Sequence, residues 1–495
     1  MVLPVSVLIK ICITLYNIIK QNIFIFIKYI YIIMKCEKDK SYEECELEIL
    51  RKAVDRTEER QGKNLMRSED IQVIIILVEK FLKEKELVCY GGTAINNILP
   101  KDAQFYNLDV ELPDYDFYSP NALEDAKLLA TYYYNLGYQE VEAKAGVHKG
   151  TYKVFVDFMP VADITQLDPK LFKTIKKDSI KKDGILYAPP DYLRMSMYLE
   201  LSRPLGDVSR WEKVLKRLIL LNKYYPLKSK DCNVDAIQRI FNEDNKLSKQ
   251  LETTVFHTVL NTLIDESVVF FGAFANKLYL RTLDEYKDKL KNIPDFDVLS
   301  DNPKSLADII KEKLKRNGIK KIKIKKNKGL GEIISEHYEV TINDDSVCFI
   351  YKPQACHSYN LISYNKRKIR VATIDTTLNL YLAFSYANKP YYDKDRLLCM
   401  SHYLYKVQQK NRLSQKGILK RFSISCYGNQ ETKETMRAEK SNAFKRLKAK
   451  KNTKEYEEWF LRYVPDEVSN KTKKKSKKNN KTKKNKGLLQ KLINF

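Results

Sequence analysis

From Ser68 the chain reads SEDIQVIIILVEKFLKEK, a helix pattern with Ser68 placed as N-cap and acids in the first turn. The period then shortens. ELVCYGGTAINNILP predicts a short apolar strand, a Gly-Gly break and a short helix starting near Thr93. After Pro113 the alternation Asp-Tyr-Asp-Phe has the strand period of two. NALEDAKLLATYYYNLG predicts a helix stopped at Gly137. TYKVFVDFMPV, rich in β-branched and aromatic residues, predicts a strand that includes Asp157. SRWEKVLKRLILL is an amphipathic helix pattern: Trp211, Val214, Leu215, Leu218 and Ile219 share one side, and Arg210, Lys213 and Arg217 cluster on the other.

The second half repeats the plan. VVFFGAFANKLYL echoes LVCYGGTAINNIL. Gly91 and Gly272, Asp114 and Asp295, Asp116 and Asp297, and Gly137 and Gly318 all stand 181 residues apart. Four landmarks at one offset point to an internal duplication of one α/β unit.

Both ends depart from this globular pattern. Residues 1–33 carry no acid and are mostly Ile, Tyr, Phe, Asn and Lys. About 20 apolar residues can span a bilayer, but Lys10, Lys20 and Lys28 interrupt this run. Such residues are those of AT-rich codons, and an ordinary soluble N-terminus opens at Met34; the preferred reading is translated upstream sequence, with a membrane role only if the extension is real. Residues 470–486, NKTKKKSKKNNKTKKNK, hold no apolar side chain and predict a disordered basic tail.

At 495 residues and 44% hydrophobic, the chain can bury two or three cores. Its formal charge of +26 points to a polyanionic partner, nucleic acid first and anionic membrane second. The nine cysteines form no C-x-x-C pair and are expected as free thiols. His148, His257, His337, His357 and His402 show no ligand spacing.

Asp114 and Asp116 are the first chemical candidates. Alternate residues of a strand share a face, which suits two carboxylates to a shared metal ion. Gly91, Gly92 and Thr93 form a glycine turn ahead of a helix, where backbone N–H groups can approach phosphate. Asp157 is the third acid expected, with Asp163 as the fallback. Strand, Gly-Gly, helix, D-x-D and a later Asp together resemble the nucleotidyltransferase superfamily of the DNA polymerase beta type. An inserted loop at 100–112 must be assumed, and Thr93 stands where many members have Ser.

VCYGGTAINNILP, LPDYDFYSPNA, YKVFVDFMPVADIT and PPDYLRMSMYLELSRP resemble, more closely, the poly(A) polymerase catalytic subunits of poxvirus-like and giant-virus-like DNA viruses. The resemblance implies an α+β protein with two tandem nucleotidyltransferase-like domains. The expected divisions are the extension 1–33, a helical segment 34–67, a catalytic domain 68–230, a degenerate domain 231–420, a helical segment 421–464 and a tail 465–495. It implies AMP transfer from ATP to an mRNA 3′ end, with Asp114, Asp116 and Asp157 on two Mg²⁺ or Mn²⁺ ions and Gly91, Gly92 and Thr93 on the triphosphate. A uridylyl- or CCA-adding enzyme and a non-catalytic RNA scaffold are the alternatives. A homodimer or a processivity subunit is the partner the family implies, in host cytoplasm or packaged in the virion, not secreted.

In the second copy Gly92 is matched by Ala273, Thr93 by Phe274 and Asp157 by Asn343, so Asp295 and Asp297 are expected to be non-catalytic. That copy gains GIKKIKIKKNK. A strand there buries Ile322 and Ile324 and presents Lys321, Lys323 and Lys325, either to RNA phosphates or as a guarded sheet edge.

Overall fold

The computed structural model describes residues 40–466, apart from 67, 108, 110–112, 230–231, 234, 236, 239–247 and 287–289. The apolar extension with Met34, the Lys-rich tail and the expected boundary at 230/231 lie outside the described residues. Two compact units divide the chain: Met1–Val73 with Tyr106–Leu112, and Ile74–Phe105 with Pro113–Phe495. The first holds helix α1 (Tyr42–Met66), charged and exposed along most of its length. Among the described residues no helix is long and apolar enough to cross a membrane.

The second unit contains two mixed sheets. Helix α2 (Glu69–Lys85), which belongs to this unit from Ile74 on, leads to β1 (Val88–Tyr90), α3 (Gly91–Ile98), β2 (Asp116–Ser119), α4 (Ala122–Asn135), β3 (Val141–Ala145), β4 (Thr151–Val156) and β5 (Met159–Gln166). Then come α5 (Pro169–Lys177), β6 (Ile180–Lys182), β7 (Ile185–Tyr187), α6 (Pro190–Leu201) and α7 (Trp211–Tyr224). The second half runs α8 (Lys249–Asp265), β8 (Val269–Phe271), α9 (Gly272–Leu280), β9 (Phe296–Leu299), α10 (Pro303–Arg316), β10 (Ile322–Asn327), β11 (His337–Ile342) and β12 (Asp345–Tyr351). It ends β13 (His357–Tyr364), β14 (Arg367–Ala372), α11 (Ile374–Ser385) and α12 (Lys394–Lys410). Gly137 takes φ +104° just past α4, as a helix-ending glycine should.

Each sheet has eight strands; seven of the first run in the order β3-β4-β5-β2-β1-β7-β6 and seven of the second in the order β10-β11-β12-β9-β8-β14-β13, and these seven correspond one to one. The directions agree too: β2–β5 and β9–β12 are parallel, while β1–β2 and β8–β9 are antiparallel. The strands of the first sheet alternate as an open-faced sheet does. Tyr152, Val154 and Val156 of β4 are buried on the side that α4 covers, while Thr151, Lys153 and Phe155 are half-buried on the other.

The halves are joined by buried packing. Every residue of α11 is buried, it packs on α6, and Asn379 Nδ2 donates to the Met195 carbonyl at 3.0 Å.

Three features differ from the sequence expectations. Disulfides link Cys232 to Cys399 and Cys356 to Cys426, across 167 and 70 residues; pairs so distant leave no local spacing signal. Cys89 and Cys348 are free and buried. The segment 421–464 is not wholly helical. Alongside α13 (Lys433–Leu447) and α14 (Lys454–Phe460) it supplies β15 (Cys426–Tyr427), which pairs with β13, and β16 (Arg462–Tyr463), which pairs with β3. The third is Asp157, which lies in the turn after β4 and not within a strand.

Candidate active site

The site is built where β1 turns into α3. Gly91 has φ +72°, and a Cβ there would stand 2.6 Å from Asp116 Oδ2. Only glycine both takes this backbone cheaply and leaves room for the carboxylate. Thr93 is buried, and its hydroxyl donates to the Asp114 carbonyl at 2.6 Å. The Thr93 side chain therefore holds the approach to β2. Gly91 and Gly92 are half-buried at the start of α3, whose first N–H groups have no side-chain cap.

Asp114 lies just before β2 and Asp116 is its first residue. Across the parallel β2–β5 register, Asp116 faces Asp163. Burial, then Asp114 and Asp163, push the Asp116 carboxyl up to about 7, while Lys153 and Arg210 pull it back. Burial and then Asp163 also raise Asp114, against Lys153 and Lys213. Three acids thus share one field, with Lys153 of β4 in contact with the Asp163 carboxylate.

Asp157 is not among them. It occupies the tight turn between β4 and β5 with φ +47°, exposed, followed by Phe158 at φ +65° and 82% exposure. Four strand residues, Met159 to Ala162, lie between that turn and Asp163, a run of about 13 Å along β5. Asn343 and Asp344 sit in the equivalent turn at φ +51° and +68°. Asn-Asp between two β-patterns is a hairpin-turn signal. It was the available warning that the aligned Asp157 is a turn residue too.

The second sheet keeps the frame and changes the chemistry. Gly272 has φ +68°, and a Cβ there would come within 2.0 Å of Asp297 Oδ2. The register partner of Asp297 is Phe349, where the first sheet has Asp163. Arg396 Nη2 donates to Asp295 Oδ2 at 2.6 Å. Phe274 does not crowd a phosphate approach; like Thr93 it points inward, packed against Phe270 and Phe296 with centroids 5.0 and 5.6 Å away.

The lysine row lies on β10, the outermost strand. Lys323 Nζ is 2.7 Å from Asp344 and Lys325 Nζ is 3.9 Å from Glu339, while Lys321 precedes the strand at φ +53°. Two of the three lysines thus answer carboxylates of their own sheet, as on a charge-guarded edge.

Among the described residues no three His, Cys, Asp or Glu side chains are drawn together as a ready metal cage. The donor set nevertheless fits a hard divalent cation. It is all carboxylate oxygen, and Asp116, raised first by burial and then by Asp114 and Asp163, lies among like charges.

The fold is α+β, and it superimposes on the crystal structure of the Megavirus polyadenylate synthase with a TM-score of 0.71 at 19% identity, over 91% of this chain and 93% of that one. Residues 76–207 match the family model described as poly(A) polymerase catalytic subunit. Candidate poly(A) polymerase catalytic subunits of Acanthamoeba polyphaga mimivirus and African swine fever virus are 29% identical over 223 residues and 34% identical over 164. These matches cover 44% and 32% of this chain, but only 37% and 34% of the relatives' own length. The resemblance seen in the sequence is thereby borne out, and the candidate residues Gly91, Asp114, Asp116 and Asp163 fall within the matched region.

Proposed function

We propose that this chain is a template-independent RNA 3′-end adenylyltransferase, taking AMP from ATP, and that Asp114, Asp116 and Asp163 form its metal-binding set. The observation that carries the reading is the register of Asp116 against Asp163 beside the Gly91 turn. Divalent cations bound there, Mg²⁺ or Mn²⁺, would lower the pKa of the RNA 3′-hydroxyl and neutralise triphosphate charge. The chain's own residues do the rest. Gly91 lets the Asp116 carboxylate lie against the turn. The uncapped N–H groups of α3 at Gly91 and Gly92 suit phosphate oxygens. Arg210 and Lys213, close enough to act on the two acids, bring cationic charge to the triphosphate side. Lys153 holds Asp163 in place.

The shared strand order supports descent of both sheets from one duplicated unit. The second is a scaffold, because Arg396 and Phe349 stand where a metal site needs a cation vacancy and an acid. Action on viral messages in host cytoplasm, as a homodimer or with a processivity subunit, belongs to the same reading.

Incubation with RNA, Mg²⁺ and each nucleoside triphosphate separately tests it. A lengthening ladder with ATP alone is expected. Extension by UTP or CTP instead would move the enzyme to another adding class, and no extension by any of them would leave a scaffold.

A further inference from the structure

The row of charged residues that begins with Asp116 and Asp163 runs on across the sheet. Register carries it across the sheet: Asp116 faces Asp163, Asp163 faces Lys153, Lys153 faces Lys144, and Lys144 faces Arg462 of β16. Register partners in a sheet point to one face. Here that is the face opposite α4, because Ala143, Val154 and Ile164, the neighbours in sequence of three of these residues, are buried.

From the acids outward the row is cationic. Side-chain exposure rises from 37% at Lys153 to 44% at Lys144 and 73% at Arg462. Phe155 stands on the same face, two residues on from Lys153, with Lys144 Nζ 4.0 Å from its ring centroid. One acid interrupts the row: Glu142 lies 3.4 Å from both Lys144 and Arg462. Exposed pairs of this kind are worth little, so a phosphate can take the place of Glu142. At about 4.8 Å per strand, the row from Asp116 to Arg462 is about 20 Å long, room for a few nucleotides.

We propose that this open face, Lys153, Lys144 and Arg462 with Phe155 between them, binds the last nucleotides of a single-stranded RNA and leads its 3′ end to the acids. Cations at strand spacing meet the backbone phosphates, and the aromatic ring offers a stacking surface that any base can use. The inference deepens the adenylyltransferase reading and rests on it for the direction of the strand. Arg462 is a positioning residue that the distant C-terminal strand delivers to the catalytic sheet.

The test is anisotropy of a fluorescein-labelled 15-nucleotide oligo(A), in EDTA and without ATP, over a series of salt concentrations. Lys144→Ala/Arg462→Ala should weaken binding about tenfold and flatten the log–log salt slope by about 0.7 per lost phosphate contact. Phe155→Ala should weaken it on the order of tenfold with the slope unchanged. Lys321→Ala/Lys323→Ala, which removes the same charge from the guarded edge, should bind as wild type. Lys144→Arg/Arg462→Lys should also bind as wild type, which separates charge from folding. Wild-type affinity in the Lys144/Arg462 alanine pair, equal losses in both alanine pairs, or wild-type affinity in Phe155→Ala would overturn the proposal, the last leaving only a general polyanion surface. A wild-type protein that binds oligo(A) through these residues but never extends it would sink the adenylyltransferase reading and leave the surface standing.

Discussion

The guanidinium of Arg396 lies 2.6 Å from the carboxylate of Asp295, and Asp295 is the counterpart, in the second sheet, of Asp114 in the first. The second site thus contains a cation built into the chain, with both partners mostly buried. Removing one partner strands the other's charge. Arg396→Met should therefore lower unfolding stability by about 3–5 kcal/mol, seen as a lower urea midpoint. Nucleotide addition per folded molecule should stay at the wild-type rate. A large activity loss at normal stability would instead make this pair part of the chemistry.

Asp163 and Asp157 offer a sharper comparison. Asp163→Asn removes a carboxylate from the row with Asp116, and AMP addition should fall on the order of 1000-fold, as loss of about 4 kcal/mol of transition-state stabilisation does. Asp157→Asn alters an exposed turn and should add AMP as wild type. Primer-extension rates of the two variants, measured at equal folded fraction, decide between them; the opposite ranking would return the third acid to the turn.

The two glycines are held by the same steric need and should differ in consequence. Gly91→Ala and Gly272→Ala each force a methyl against a carboxylate at a positive φ, a strain of about 1–3 kcal/mol. Thermal melts should show both losses. Only Gly91→Ala should also slow AMP addition, since it displaces Asp116. Equal activity losses would mean that the second sheet takes part in catalysis.

His357 predicts the acid limb of stability. It is 4% exposed at the start of β13. Burial, reinforced by the nearby Arg203 guanidinium, pushes its imidazole down to about 4. An unfolded histidine takes its proton near 6.5. The unfolded chain therefore binds the proton first: the stability this group contributes is complete above pH 6.5 and is lost as pH falls toward 4. The loss amounts to about 3 kcal/mol. Urea unfolding between pH 7 and 4 should show that slope, and His357→Phe should flatten it. An unchanged slope in the variant would assign the acid sensitivity elsewhere.

Much of this site was legible in the sequence because its parts are local. Gly91 with Asp114 and Asp116 is a turn followed by a strand, and the offset of 181 residues already paired them with Gly272, Asp295 and Asp297. Asp163 was harder to see, because its place depends on where the β4–β5 hairpin turns, and a register shift changes which residues meet. The fixed offset also fails there: Asp163 corresponds to Phe349, 186 residues on. Thr93 and Phe274 share an inward direction that a helix start does not reveal. Two-residue strands such as β15 and β16, and disulfides across 167 and 70 residues, carry no periodic signal at all.

The pairing of β16 with β3 also sets an order of assembly. Residues 88–166 supply the inner strands of the first sheet, yet the partner for its outer edge arrives only at Arg462. During synthesis that edge waits, open, while roughly 300 further residues are made. A ribosome that stops before Arg462 releases the acids and the Gly91 turn but leaves the outer edge of β3 unpaired, a template for unwanted strand pairing. Closure of this sheet edge therefore depends on a strand made roughly 300 residues after its partner.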